Sequence, residues 1–252
     1  MKITFLGTGT SDGVPVLGCN CEVCTSKDRR DKRTRTSIVI NHNNKNYIVD
    51  TSLDFRYQLL REKIKNIECV FYTHHHADHS SGIVDLRALN FTMRKSIDCY
   101  GNKSTMEILA DKYDYFFNPV QKGGGLPQVH FYHISEPFEL DGLKITPIPV
   151  KHGILSILGY RFNDFSYITD SSYISESSLN IIKGSKVLVL NALRYRGHST
   201  HLSLQEAVNI ADSLQIKKVY FTHMTHDILH RRLLKELPKN MQPAYDGLSF
   251  VV

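Results

Sequence analysis

Residues 71–82 read FYTHHHADHSSG: an apolar stretch runs straight into three histidines, an aspartate and a fourth histidine. The preceding CVFYT (69–73) has the character of a buried strand, so the polar cluster falls where the chain leaves a sheet. The same placement recurs. His152 follows LKITPIPV (143–150), Asp170 closes SYITD (166–170) and His223 follows KVYFT (218–222). In layered α/β folds, ligands gather at the carboxyl ends of strands, where loops aim side chains into one crevice. His74, His76, Asp78, His79, His152, Asp170 and His223 are therefore expected to converge. Neutral imidazoles suit zinc and other first-row divalent ions, and a carboxylate adds charge and can bridge two of them. His74 and His76 can serve one ion while Asp78 and His79 turn toward a second, with His75 pointing away. Two such ions, about 3.5–4 Å apart, would activate a water and clamp the attacking and leaving oxygens.

Further strand-like runs are KITFL (2–6), SIVI (37–40), NYIVD (46–50), KVLVLN (186–191) and LSFVV (248–252). Several are apolar throughout rather than alternating, which predicts strands covered on both faces. Helices fit between many of them. The clearest is SLQEAVNIADSL, where Ser203 and Glu206 have capping-box spacing and Ala207, Val208, Ala211 and Leu214 form an apolar stripe. Strands with interspersed helices predict an α/β architecture in which helices cover sheets. With no short repeat, low-complexity tract or linker, residues 1–252 are expected to form one domain. The compositional break falls at 111–128, aromatic and then glycine-rich, which reads as a surface loop, a lid or a dimer insertion.

Of the 252 residues, 41% are hydrophobic and 22% charged, which excludes a disordered chain. No apolar run is long enough to span a bilayer, and the first residues lack the pattern of a secretory signal, so a cytoplasmic protein is expected. The net charge of +6 favours anionic ligands such as phosphates or nucleic acid, though a lysine-rich soluble surface accounts for it equally well.

Three of the five cysteines crowd into GCNCEVC as Cys19, Cys21 and Cys24, within a loop at 19–26. In a reducing compartment such a cluster points to metal before disulfide. A closed structural zinc takes four ligands, so a fourth must come from elsewhere, and THMTHD offers His226. Cys69 and Cys99 stand alone in β-like segments and are expected to be buried packing residues. The nearby glycines of GTGTSDG lack the spacing and the downstream acidic residue of a dinucleotide fingerprint, so no nucleotide cofactor is expected there.

The H-x-H-x-D-H pattern of His74, His76, Asp78 and His79 resembles the signature of the metallo-β-lactamase superfamily, and His152, Asp170 and His223 match its remaining ligands in order. The resemblance implies a four-layer αββα sandwich with a dinuclear site at one edge. One ion, zinc or manganese, would lie on His74, His76 and His152, the other on Asp78, His79 and His223, with Asp170 between them. The segments GTGTSDGVPVLGCNCEVC, THHHADHSSGIVDLR, ITPIPVKHGILSILGY, HLSLQEA, THMTHDI and YDGL are further similar to the PhnP-type phosphodiesterases, which hydrolyse a cyclic phosphate on ribose. That similarity implies His201 as proton donor to the leaving oxygen, catalytic together with Asp78, with His198 three residues away as its rival. It also implies a structural zinc at the cysteines and a homodimer. The small-phosphodiester substrate remains open, because KYDYFFNPVQKGGGLPQ (112–128) is longer than in the best-known members and could reshape the rim.

Two relatives offer alternatives. A ribonuclease Z-like tRNA endonuclease suits the basic charge, but this sequence has no long Gly/Pro-rich arm flanked by basic residues for gripping tRNA, and the cysteine group is not part of that family's pattern. A PqqB-like protein shares C-x-C-x2-C, but there the metal motif is degraded whereas here it is intact. A zinc-buffering module is disfavoured because a purely structural site is four-coordinate and saturated by protein.

Overall fold

A computed structural model describes residues 1–120 and 125–252. The first half of the chain builds one sheet: β1 (Lys2–Gly7), β2 (Ser37–His42), β3 (Lys45–Val49), β4 (Cys69–Phe71), β5 (Ile97–Gly101) and β6 (Val129–His133) lie side by side in chain order. The second half builds another, from β7 (Phe138–Leu140), β8 (Leu143–His152), β9 (Leu155–Phe162), β10 (Phe165–Ile168), β11 (Val187–Asn191), β12 (Lys218–Thr222) and β13 (Met241–Pro243). The last strand, β14 (Ser249–Val251), returns to pair antiparallel with β1.

Period-two alternation explains how the sheets stack. Ile38 and Ile40 of β2, Phe71 of β4, and Val187 and Val189 of β11 face inward, into a core shared by both sheets. Val39, Val70, Leu188 and Leu190 face outward and are covered by helices. Apolar runs without alternation are what two covered faces require. Helices α1 (Phe55–Arg61), α2 (Ala77–Ser80), α3 (Leu86–Met93) and α4 (Lys103–Lys112) belong to the first half, and Phe55, Leu59, Leu86 and Leu109 close its outer face. Helices α5 (Glu176–Ile182), α6 (Leu204–Ser213) and α7 (His230–Glu236) belong to the second, contributing Ile182, Ala207, Ala211 and Leu233. The result is the helix–sheet–sheet–helix sandwich expected from the sequence.

Among the described residues, no helix is long and apolar enough to cross a membrane. The rings of Phe71, Tyr160 and Phe162 meet in the inner core with centroids 5.3–5.9 Å apart. The buried hydroxyl of Tyr160 donates to the carbonyl of Tyr72 at 2.6 Å, which ties β9 to the chain just before the histidine cluster. Ser203 caps α6 with the reciprocal Glu206 box read from the sequence. Cys69 and Cys99 are buried.

Three expectations change. His152 is the last residue of β8 rather than lying beyond a strand. Strands β5, β6, β7, β9 and β13 were not legible as such. The 111–128 segment is not a free loop in its aromatic half: Tyr113 and Phe116 are buried against the outer face of the first sheet, and the Phe117 ring meets Phe131 at 5.3 Å. Residues 121–124, part of the segment read from the sequence as a lid or dimer insertion, lie outside the described residues. Gly7 owes its identity to packing, since a Cβ there would collide with the Arg35 carbonyl and the Gln58 amide.

Candidate metal centre

β3, β4, β5 and β6 run parallel to one another, as do β10, β11, β12 and β13. Their carboxyl ends therefore gather at one edge of each sheet, and the polar residues of the sequence emerge there. Three of these positions turn the backbone sharply, with left-handed φ of 64° at Asp50, 55° at Asp170 and 56° at His223. For residues other than glycine this region costs of order 1–3 kcal/mol, and it tends to mark sites where the side chain's direction matters.

The side chains converge in two groups whose donor atoms lie within 4.8 Å of one another: His74, His76 and His152 in one, and Asp78, His79, Asp170 and His223 in the other. Asp170 lies between them. Its Oδ1 is 3.3 Å from His79 Nε2, and its Oδ2 is 3.2 Å from His223 Nε2 and 4.0 Å from His74 Nε2. His75 belongs to neither group.

The hydrogen bonds show which ring nitrogens are spoken for. Nδ1 of His79 meets Asp50 Oδ2 at 2.7 Å, Nδ1 of His152 donates to the Thr200 carbonyl at 2.8 Å, and Nδ1 of His74 lies 3.0 Å from the Thr73 hydroxyl. Asp50 is itself fixed by the amide and hydroxyl of Thr73, both at 2.8 Å. Fixing Nδ1 sets the ring's orientation and leaves Nε2 for a metal. Nε2 of His74, His79 and His223 is buried without a hydrogen-bond partner. Buried polar atoms are rarely left so, and a cluster of orphans facing one another is what a cation would satisfy.

Electrostatics agree. Burial pushes the His74 imidazole well below its ordinary pKa, which keeps it neutral as a ligand must be. Burial opposes charge on His79 too, but the carboxylates of Asp170, Asp78 and Asp50 outweigh it and drive that ring's pKa well up. Burial disfavours charge on Asp170 as well, yet the surrounding imidazoles of His223 and His79 hold its carboxyl well below the usual range. A buried imidazole ringed by three carboxylates calls for positive charge beside it, and a divalent cation supplies more than a proton does.

His201 Nε2 stands 3.3 Å from Asp170 Oδ2, and its ring lies 4.6 Å from that of His152 and stacks on His223 at 5.0 Å. It reaches both Asp170 and His152 closely enough to act as a donor to a cation or to hold a proton at the rim. His198 lies one step further out, exposed, with its Nδ1 3.3 Å from that of His201.

A second cluster sits apart. His226 Nδ1 lies 3.2, 3.5 and 3.5 Å from the sulfurs of Cys19, Cys21 and Cys24. A tetrahedral zinc with Zn–S of about 2.3 Å and Zn–N of about 2.0 Å separates sulfur from nitrogen by about 3.5 Å, so the four residues fit a closed structural site. Amides of Val16 and Cys24 donate to the sulfurs of Cys24 and Cys21.

Sequence reasoning missed Asp50, Thr73 and Thr200. Asp50 could have been found, since a carboxylate closing the apolar run NYIVD is the same signal that singled out Asp170. Thr73 and Thr200 act through a hydroxyl or a carbonyl placed by tertiary contact, and no pattern announces that.

Residues 45–224 match the family model described as Beta-lactamase superfamily domain. The crystal structure of a new diphosphatase from the PhnP family superposes with a TM-score of 0.93 at 40% identity, covering 100% of this chain and 97% of that one. Zinc-bound PqqB from Methylobacterium extorquens superposes with a TM-score of 0.82 at 18% identity over 100% of both chains, a likeness of fold alone. The octanoyltransferase of Porphyromonas gingivalis is 34% identical over 259 residues, which cover 100% of this chain and 52% of that protein. The chain thus spans about half the length of that relative, and the transferase activity is a statement about the whole of it. With its sandwich fold, its clustered histidines and carboxylates and these likenesses, the chain belongs to the metallo-β-lactamase superfamily and is a PhnP-like member of it.

Proposed function

We propose that this hydrolase acts on a small phosphodiester of the cyclic phosphoribosyl kind, through a dinuclear metal site. The observation that carries the reading is the Asp170 carboxylate, set between the orphaned Nε2 atoms of His79 and His223, with a further imidazole, His201, on the same oxygen as His223. His74, His76 and His152 would hold one cation, and Asp78, His79 and His223 the other, with Asp170 shared. Bound there, a pair of zinc or manganese ions supplies Lewis acidity and a water of lowered pKa.

The protein's own residues do the rest. The Asp50–His79 and Thr200–His152 hydrogen bonds hold imidazoles in the tautomer that presents Nε2 inward. Attack of water on phosphorus must expel an alkoxide, and that oxygen needs a proton as the P–O bond breaks. His201 Nε2, at the mouth of the site, is placed to give it. The likeness to a PhnP-family diphosphatase supports phosphorus as the centre attacked.

The test is a screen of metal-reconstituted protein against cyclic and linear phosphodiesters, a diphosphate and an acyl thioester. Turnover of a cyclic phosphodiester well above the others is expected. Turnover confined to the thioester or the diphosphate would overturn the proposal.

A further inference from the structure

Arg33 is fully buried, as is its partner Asp31, and the two side chains meet at 3.3 Å. The guanidinium also donates to two backbone carbonyls of one loop, Thr225 at 3.1 Å and Ile228 at 2.8 Å. Asp31 grips the same loop from the other side, accepting from the His230 amide at 2.8 Å, and it takes the Ser26 hydroxyl at 2.7 Å. The backbone of Arg33 pairs in both directions with Val14, whose side chain packs with Cys24 and Leu229. The neighbouring Lys32 ammonium donates to the Cys24 carbonyl at 2.9 Å.

The gripped loop runs from His223, at the histidine–aspartate cluster, to His226, at the cysteine cluster, and on to α7. Outside this grip, its first part is tied by the Met224 amide to Thr8 and the Thr225 amide to Leu193. A buried ion pair is a poor way to add stability, since well-packed apolar residues do as well or better. What a guanidinium offers and an apolar side chain cannot is a rigid fork that fixes two carbonyls of an irregular turn.

We infer that Arg33 is a positioning residue that couples the two clusters, so that a cation at Cys19, Cys21, Cys24 and His226 strengthens binding of a cation at the histidine–aspartate site. Closing the cysteine site fixes His226, the Arg33 fork transmits that fixed position through Thr225, and His223 is thereby held where its Nε2 meets Asp170. The inference rests on the reading that both clusters hold metal, and it says nothing about the substrate.

The test is a double-mutant cycle on the full metal-stripped chain, read as Mn²⁺ affinity from the electron paramagnetic resonance of free Mn²⁺. One equivalent of zinc is given to the proteins that keep Cys21 and none to those that lack it, because excess zinc would displace Mn²⁺. The four proteins are the unaltered chain, Cys21→Ser, Arg33→Lys and the double variant. A hard, oxygen-preferring ion such as Mn²⁺ reports on the carboxylate-bearing site and not on thiolates. With Arg33 present, Cys21→Ser is expected to weaken Mn²⁺ binding about tenfold, within the usual range of coupling between sites. With lysine at position 33, which cannot fork across two carbonyls, the same change is expected to have less than about a twofold effect.

An equal effect of Cys21→Ser in both backgrounds overturns the coupling and leaves the hydrolase proposal standing. Failure of the unaltered chain to bind Mn²⁺ overturns both. Coupling without turnover of any phosphodiester overturns only the proposed substrate. Should Arg33→Lys not fold, hydrogen exchange on the unaltered chain decides. Zinc at the cysteine site is expected to slow exchange of the Thr225 and His230 amides, and unchanged rates overturn the inference.

Discussion

The carboxylate of Asp50 lies 2.7 Å from Nδ1 of His79, and neither side chain is exposed to solvent. Asp50 is not itself among the residues whose donor atoms converge on the cluster. It works through the imidazole, fixing which nitrogen faces inward and making that nitrogen a stronger donor. Asp50→Asn keeps the shape and removes the charge. Metal affinity at the histidine–aspartate site is expected to fall about 10–100-fold, measured by competition with a chromogenic chelator. An unchanged affinity would show that Asp50 is a packing residue only.

His201 is placed to donate a proton without being needed to hold the cluster together, because His74, His76, His152, Asp78, His79, Asp170 and His223 form their groups without it. His201→Ala is expected to lower turnover of bis(p-nitrophenyl) phosphate about 10²–10⁴-fold with metal content unchanged by elemental analysis. Loss of one ion in the same variant would instead identify His201 as a ligand. His198→Ala, further from Asp170, is expected to change turnover much less.

The cysteine cluster ties residues 19–24 to His226, some two hundred positions later in the chain. A cation bound there but not in the unfolded chain stabilises by mass action, by about 2.7 kcal/mol at a hundred times its dissociation constant. For a chain of this length that corresponds to a rise in Tm of about 5–10 °C. Calorimetry of Cys21→Ser against the unaltered chain in excess zinc is expected to show a loss of that size. Equal Tm values would mean that the four residues hold no structural ion.

What could be read from the sequence, and what could not, follows from where each piece of information is stored. His74, His76, Asp78, His79, His152, Asp170 and His223 stand out because each follows an apolar run, and the contrast is local. β6 was not legible because its VHFYH is mostly half-buried or exposed, and β13 because it is three residues long and ends in proline. Both are strands by virtue of their neighbours rather than their own pattern. The aromatic half of 111–128 looked like a loop because its rings are close in sequence, and only the third dimension shows Tyr113 and Phe116 pointing into a core. Arg33 is hidden in the run RRDKRTR, where every residue has the composition of a solvated surface. Its burial is created by a turn nearly two hundred residues away.

His230 gives the fold a sensitivity to acid that is separate from the histidine–aspartate cluster. Its side chain is buried against the Tyr245 ring, 5.6 Å between centroids, and its Nδ1 has no partner. Burial first, and then the nearby Arg30 and Arg33 guanidinium groups, push its pKa down to about 4. In the unfolded chain a histidine titrates near 6.5. Between those values the unfolded chain binds a proton that the folded chain refuses, so stability falls as pH drops from about 6.5 to about 4 and is fully present above that window. At about 1.4 kcal/mol per unit the loss is on the order of 3 kcal/mol. His230→Gln removes the titration while keeping a polar group of similar length. Denaturant unfolding at pH 7 and at pH 4.5 is expected to show a smaller difference in the variant than in the unaltered chain, by about 2–3 kcal/mol. The same loss in both proteins would place the acid sensitivity on the clustered histidines instead, where His223 is also pushed down to about 4 by burial.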